Sequence, residues 1–88
     1  MKMNLKELLE AIKSSDLPQE NKIDLMHRVS VRKIVTEGLY IKEVTPGIVE
    51  CWYRNMDEDG TLYHGPTGYG IEDIIREYSR SISHSMKK

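Results

Sequence analysis

The sequence predicts a single α+β domain in the order α-α-β-β-β-α, with a three-stranded antiparallel meander packed on helices. Three observations carry this reading. Leu5, Leu8, Leu9 and Ile12 recur at i, i+3, i+4 and i+7, which is one stripe of a helix. From Leu39 to His64, short alternating runs surround two turn signals. Ile71, Ile74, Ile75, Tyr78 and Ile82 then form a second and cleaner helical stripe. The chain divides into a helical part over 1–37, a β-meander over 38–64, a Gly-rich loop over 65–70 and a C-terminal helix over 71–86.

Leu, Ile and Val account for 21 of the 88 residues, about 24%, and Phe is absent. That exceeds the roughly 20% below which chains stay disordered, so a small core forms. At this size one domain is expected, and self-association would help it. The formal net charge is −1, which gives no general pull toward nucleic acid or anionic membrane. Residues 38–70 hold two basic and five acidic side chains, so the middle is mildly acidic and the flanks mildly basic. A lone cysteine, Cys51, excludes an internal disulfide framework and suits a reducing compartment. No run approaches 18 apolar residues and no signal-type segment opens the chain, so a cytoplasmic protein without a membrane span is expected.

Asn4 followed by Glu7 reads as a capping-box start for the first helix, and Ser14, Ser15 and Asp16 end it. Asp16-Leu17-Pro18-Gln19 reads as a second helix start with Asp16 as cap. Ile23 and Met26 continue a face, but Val29, Val31, Ile34 and Val35 fit neither period. The main reading is one helix to about Glu37, stopped by Gly38. The alternative breaks it near Ser30 and starts another short element there.

Thr45-Pro46-Gly47-Ile48 is turn chemistry. A two-residue Pro46-Gly47 loop would set Glu43 opposite Glu50, a like-charge pair. A loop of odd length pairs Lys42 with Glu50 instead, and a five-residue loop holds Pro46-Gly47 at its centre. This register puts Leu39, Ile41, Val49, Cys51 and Tyr53 on the core face, and Tyr40, Lys42, Glu50, Trp52 and Arg54 on the other. Asp57-Glu58-Asp59-Gly60 is the second turn; a loop of two or four residues sends Leu62 and His64 to the Leu39 side and Tyr63 to the Trp52 side.

The outer face would then carry Tyr40, Trp52 and Tyr63, beside Val44, Ile48 and Met56. Large rigid rings concentrate at interface hot spots, so Tyr40, Trp52, Arg54 and Tyr63 are candidate partner-binding residues, joined by Tyr69 on the Gly-rich loop. The opposing reading is a second core layer, with one of the helices covering this face. Arg76, Arg80, His84 and Lys88 recur every four residues and form an alternative nucleic-acid face, set against a plain solvated face laced by Glu72–Arg76 and Glu77–Arg80 pairs.

Other constellations are weaker. Asn55, Asp57, Asp59 and Gly60 imitate part of a calcium loop, but Pro66 stands where its bidentate Glu is needed, so a polar hairpin turn is expected. Gly65, Gly68 and Gly70 precede a helix without phosphate-loop spacing. His27, Cys51, His64 and His84 lack metal-ligand spacing, and a Cys51–His64 nucleophile–base pair has no local signature. No metal, cofactor or catalytic activity is expected. The sequence suits a small contact protein (an inhibitor, adaptor or regulator of bacterial or phage accessory kind) that binds a protein partner, itself as a homodimer, or, as the alternative, nucleic acid.

Overall fold

The computed structural model of the chain describes residues 1–31, 34–36, 38–56, 59–60 and 62–86, with side chains described at all of these except 34, 55, 56, 62–64 and 84–86. It is an α+β domain with three helices and an antiparallel sheet. The elements run β1 (Lys2–Asn4), α1 (Leu5–Lys13), α2 (Gln19–Ser30), β2 (Ile34–Thr36), β3 (Leu39–Thr45), β4 (Ile48–Met56), β5 (Leu62–Pro66) and α3 (Ile71–Met86). The expected meander is β3-β4-β5, and the sheet is wider than expected by two short strands, β1 and β2.

β4 is the strand around which the sheet is built. One edge of it pairs with β3, and β2 lies beyond β3. The other edge is shared end to end by two strands: β1 lies beside residues 48–50 and β5 beside residues 52–56. Between them the Thr67 N–H donates to the Cys51 carbonyl at 2.9 Å, and the Met1 ammonium donates to the Thr67 carbonyl at 3.1 Å. The backbone hydrogen-bond ladder therefore carries across the junction of two strands that are distant in sequence.

The β3–β4 hairpin has the register that charge pairing demands. Lys42 pairs with Glu50, Ile41 with Cys51, Tyr40 with Trp52 and Leu39 with Tyr53. The two arguments about its turn are both satisfied, because an irregularity between Glu43 and Thr45 absorbs the odd residue and leaves Pro46-Gly47 as the tight turn. Gly47 has φ +80°, which a side chain would strain, and its N–H donates to the Glu43 carboxylate at 3.1 Å.

Two helix boundaries differ from the sequence reading. α2 ends at Ser30 rather than Glu37, and Ile34–Thr36 forms β2 against β3, so 1–37 is not purely helical. The β-branched residues that blurred the helical period lose χ1 freedom in a helix and fit a pleated surface; Val35 is buried there, and Gly38 lies in the β2–β3 turn. The start of α2 is capped by Pro18 with no side-chain bond, not by Asp16. The α1–α2 corner is held by Ser15 instead: its hydroxyl donates to the Ile12 carbonyl at 2.6 Å and accepts from the Leu17 N–H at 3.4 Å. The Asn4 cap holds as read, with its side chain accepting from Lys6 N and Glu7 N.

The molecule is a slab of 40 × 39 × 20 Å, one helix layer on one sheet layer. Its core joins Met3, Val35, Ile41, Val49 and Cys51 from the sheet to Leu8, Ile12, Leu25, Val29, Ile74 and Tyr78 from the helices, with Leu17 at the corner. A polar clasp fastens the β2 end of the slab. Tyr78 OH donates to Asp24 Oδ2 at 2.6 Å, Arg28 Nε meets the same oxygen at 3.0 Å, and Arg28 Nη1 donates to the Val35 carbonyl at 3.0 Å. Arg28 thus occupies a carbonyl of the outermost strand, one way of blunting a sheet edge.

Candidate functional site

Strand parity divides the sheet into a sealed and an open face. Odd-numbered Ile41, Val49 and Cys51 are buried. Among the described residues, no even-numbered side chain of β3 or β4 is buried: Tyr40, Val44, Ile48, Glu50 and Trp52 are half-buried, Lys42 and Arg54 exposed. All three helices contribute their buried residues to the odd face. Neither Tyr40 nor Trp52 belongs to the core cluster, which speaks against the reading of their surface as a second core layer.

Tyr40 and Trp52 are directly opposite across β3 and β4, and Pro66 lies opposite Trp52 across β4 and β5. A transverse row therefore runs Tyr40–Trp52–Pro66. Next to it along the strands runs a charged row, Lys42–Glu50–Lys2, and beyond the rings on the other side lies Arg54. The Lys42 ammonium is 3.9 Å from the centroid of the Trp52 ring, a cation–π contact. Trp52 Nε1 is shielded from solvent and has no hydrogen-bond partner among the described residues, an unusual state for a buried indole donor. Glu50 lies 3.8 Å from the Met1 ammonium.

The other sequence-nominated residues fall elsewhere. β5 pairs with β4 so that residues 57–61 separate Met56 from Leu62, an odd count where a two- or four-residue loop was expected. Tyr63 consequently sits opposite Asn55, at the parity of Tyr53 and not of Trp52; its side chain lies outside the described residues. The same shift places His64 opposite Arg54, so it does not share the parity of Cys51. Tyr53 keeps the expected parity but lies past the margin of the core, 41% exposed, with its ring beside the space that a side chain at Gly65 would enter. Tyr69 is not a presented loop residue, because it packs half-buried against the core.

Arg76 pairs with Asp73 rather than Glu72, and Arg80 pairs with Glu77 at 3.1 Å. These intrahelical pairs make a solvated face of the α3 arginines; Lys88 and the His84 side chain lie outside the described residues. Asp73 also accepts from the Gly70 N–H at 3.0 Å, and chiefly this bond, aided by Arg76, holds its carboxyl below the usual range. The amide that a phosphate would seek at this helix start is thereby occupied. Cys51 is fully buried, and burial pushes its thiol up against the lowering effect of a Thr67 hydrogen bond, the reverse of what a nucleophile needs. Among the described residues no cluster of three His, Cys, Asp or Glu side chains could hold a metal ion, and no helix is long and apolar enough to cross a membrane.

A concavity of about 1030 Å³ lies between the α1–α2 corner and α3, with Leu17, Ile75 and Ile82 among its lining and Asp16, Glu20 and Arg76 around it. Its lining mixes both charge signs without a convergent polar group. Comparisons with protein-family models, with curated proteins and with solved structures return no match for this chain.

Proposed function

We propose that the protein is a non-enzymatic interaction module, an inhibitor, adaptor or regulator, that binds a protein partner or a second copy of itself through the open face of β3 and β4. The observation that carries this reading is the pair Tyr40 and Trp52, side by side on the sheet face opposite the core cluster to which the helices contribute their buried residues. Solvent-facing sheet surfaces seldom carry a large paired aromatic patch, whereas interface centres do. Tyr40, Trp52 and Arg54 are the contact residues in this reading, with Lys42 beside them; Tyr63 has the other parity and Tyr69 packs against the core cluster, so neither is part of this patch. Nucleic-acid binding along α3 is the weaker alternative, since Arg76 and Arg80 are each engaged by an acid of their own helix.

The test contrasts two exposed sites. Trp52→Ser and Arg54→Glu alter the open sheet face, while Ile23→Ser alters α2, where Ile23 is 60% exposed. Association, as self-association by light scattering or as retention of a purified partner, should fall for the two sheet variants and persist for Ile23→Ser, with circular dichroism unchanged. Arg54→Glu keeps the test sharp should Trp52→Ser unfold. The opposite pattern, loss with Ile23→Ser alone, would move the interface to α2 and dismiss the reading.

A further inference from the structure

We infer that the open face takes a carboxylate-bearing segment of a partner protein, apolar at its centre and acidic at its flanks. This rests on the reading just proposed and adds the chemistry of the partner. Three observations support it. First, the charge of the face departs from that of the chain. The molecule carries a formal net charge of −1, yet among the described residues the exposed charges on this face around the Tyr40–Trp52–Pro66 row are Lys2, Lys42 and Arg54. The single described acid on the face, Glu50, is half-buried, lies across from Lys2 and Lys42, and has the Met1 ammonium 3.8 Å away. An approaching anion therefore meets cations on both sides of the rings, and complementary potential of this kind sets partner choice and register.

Second, Trp52 Nε1 is a shielded donor with no acceptor among the described residues. Because the atom is shielded, a partner's oxygen reaches it only as the side chains over the ring, Lys42 among them, move aside, and an oxygen bearing charge then gives the stronger bond. Third, the Lys42 ammonium is parked 3.9 Å from the Trp52 ring centroid. A lysine stem is long and reorients at little cost, so its head can leave the ring for a partner carboxylate while the stem continues to cover apolar surface. A protein segment is favoured over a nucleic acid as the occupant because the chain's net charge of −1 gives it no general pull toward a polyanion.

The experiment uses the full chain and three synthetic peptides sharing one apolar centre, flanked by Glu, by Ser or by Lys, together with an oligothymidylate. Trp52 emission and the amide shifts of β3 and β4 report binding. The Glu-flanked peptide should bind about tenfold or more tightly than the Ser-flanked one, the Lys-flanked peptide least, with the Glu advantage shrinking as salt rises. Lys42→Gln and Arg54→Gln, both at exposed positions, should reduce the Glu-flanked peptide to the affinity of the Ser-flanked one. Equal binding of all three peptides at this face would overturn the charge inference while leaving the interaction reading standing. Binding of the oligothymidylate without the peptides would overturn it in favour of nucleic acid. A dimer that already shields Trp52 would overturn it in favour of self-association, and no perturbation of β3 and β4 by any probe would remove both the inference and the reading it rests on.

Discussion

Neighbouring residues of β4 live in two different environments. Val49 and Cys51 have no exposed surface, while Glu50 and Trp52, one residue on from each, remain half-open to solvent. The contrast has a simple cause: a strand alternates its side chains with a period of two, and a single helix layer can cover only one side of a sheet. What the difference teaches is where the fold ends and the surface begins. The odd face is bound by core packing, so its residues are explained by stability. The even face has no such claim on it, so a Trp–Tyr pair there needs another explanation, and contact is the one we propose.

The largest expected effect tests that division directly. Ile41→Ala on the sealed face should cost about 2–5 kcal/mol, because it removes buried methylenes and leaves a cavity among β3, β4 and the helices. Arg54→Ala on the open face should stay within about 0.5 kcal/mol. Urea unfolding followed by circular dichroism measures both, with the m-value checked for constancy. Comparable losses at the two sites would break the comparison, since the open face would then be supporting the fold.

An intermediate effect concerns the clasp between α2, α3 and β2. Tyr78 is buried, and burial first, then its hydrogen bond to Asp24, raises its hydroxyl pKa. Cys51 is raised as well, by burial. For both groups the fold favours the neutral form. Their contribution to stability is thus complete below the unfolded-state values, about 8.5 for a thiol and about 10 for a phenol, and is lost as pH rises through the folded values. Stability should hold level toward pH 8 and decline above about pH 9. Tyr78→Phe should cost about 1–3 kcal/mol at neutral pH, the worth of a hydrogen bond to a charged group, and should flatten the phenol part of the alkaline decline. A decline unchanged in slope above pH 10 in the variant would assign that limb to Cys51 alone.

The clasp also marks how far the sequence could be read. The helices α1 and α3 were legible because an amphipathic stripe is a local signal that each segment states for itself. The β3–β4 register was legible because Lys42 and Glu50 attract where Glu43 and Glu50 would repel, so two facing residues decide the pairing. β1 was not, since Lys2-Met3-Asn4 has no strand pattern and becomes a strand only by finding the free edge of β4 beside Val49. β2 was half visible, since Val29, Val31, Ile34 and Val35 disturbed the helical period. The alternative reading, a break near Ser30 with another short element after it, is the one the structure has, but the partners on β3 that make that element a strand have no local signal. At the candidate site, Tyr40, Trp52 and Arg54 followed from parity. Tyr63 did not, because the parity of a following strand depends on whether the intervening loop is odd or even, and Asp57-Glu58-Asp59-Gly60 accommodates either. The orphaned indole N–H of Trp52 and the Lys42 cation over its ring have no sequence signature at all.

The smallest effect sharpens the open face. Lys42→Met keeps an unbranched apolar stem but removes the ammonium from above the Trp52 ring and from opposite Glu50. A cation–π contact at an exposed site contributes about 0.5–1 kcal/mol, and a cross-strand charge pair about 0.2–1 kcal/mol. The two contributions separate with salt, because the pair with Glu50 is screened while the contact with the ring is short and only weakly so. Unfolding in dilute buffer should therefore show a loss of about 1 kcal/mol, and in about 1 M salt roughly the cation–π part should remain. Trp52 emission should shift in the same variant, since the nearest charge to its ring has gone. A variant as stable as the parent, with emission unmoved, would mean that Lys42 is not held on Trp52, and the cationic cover attributed to this face would have to be withdrawn.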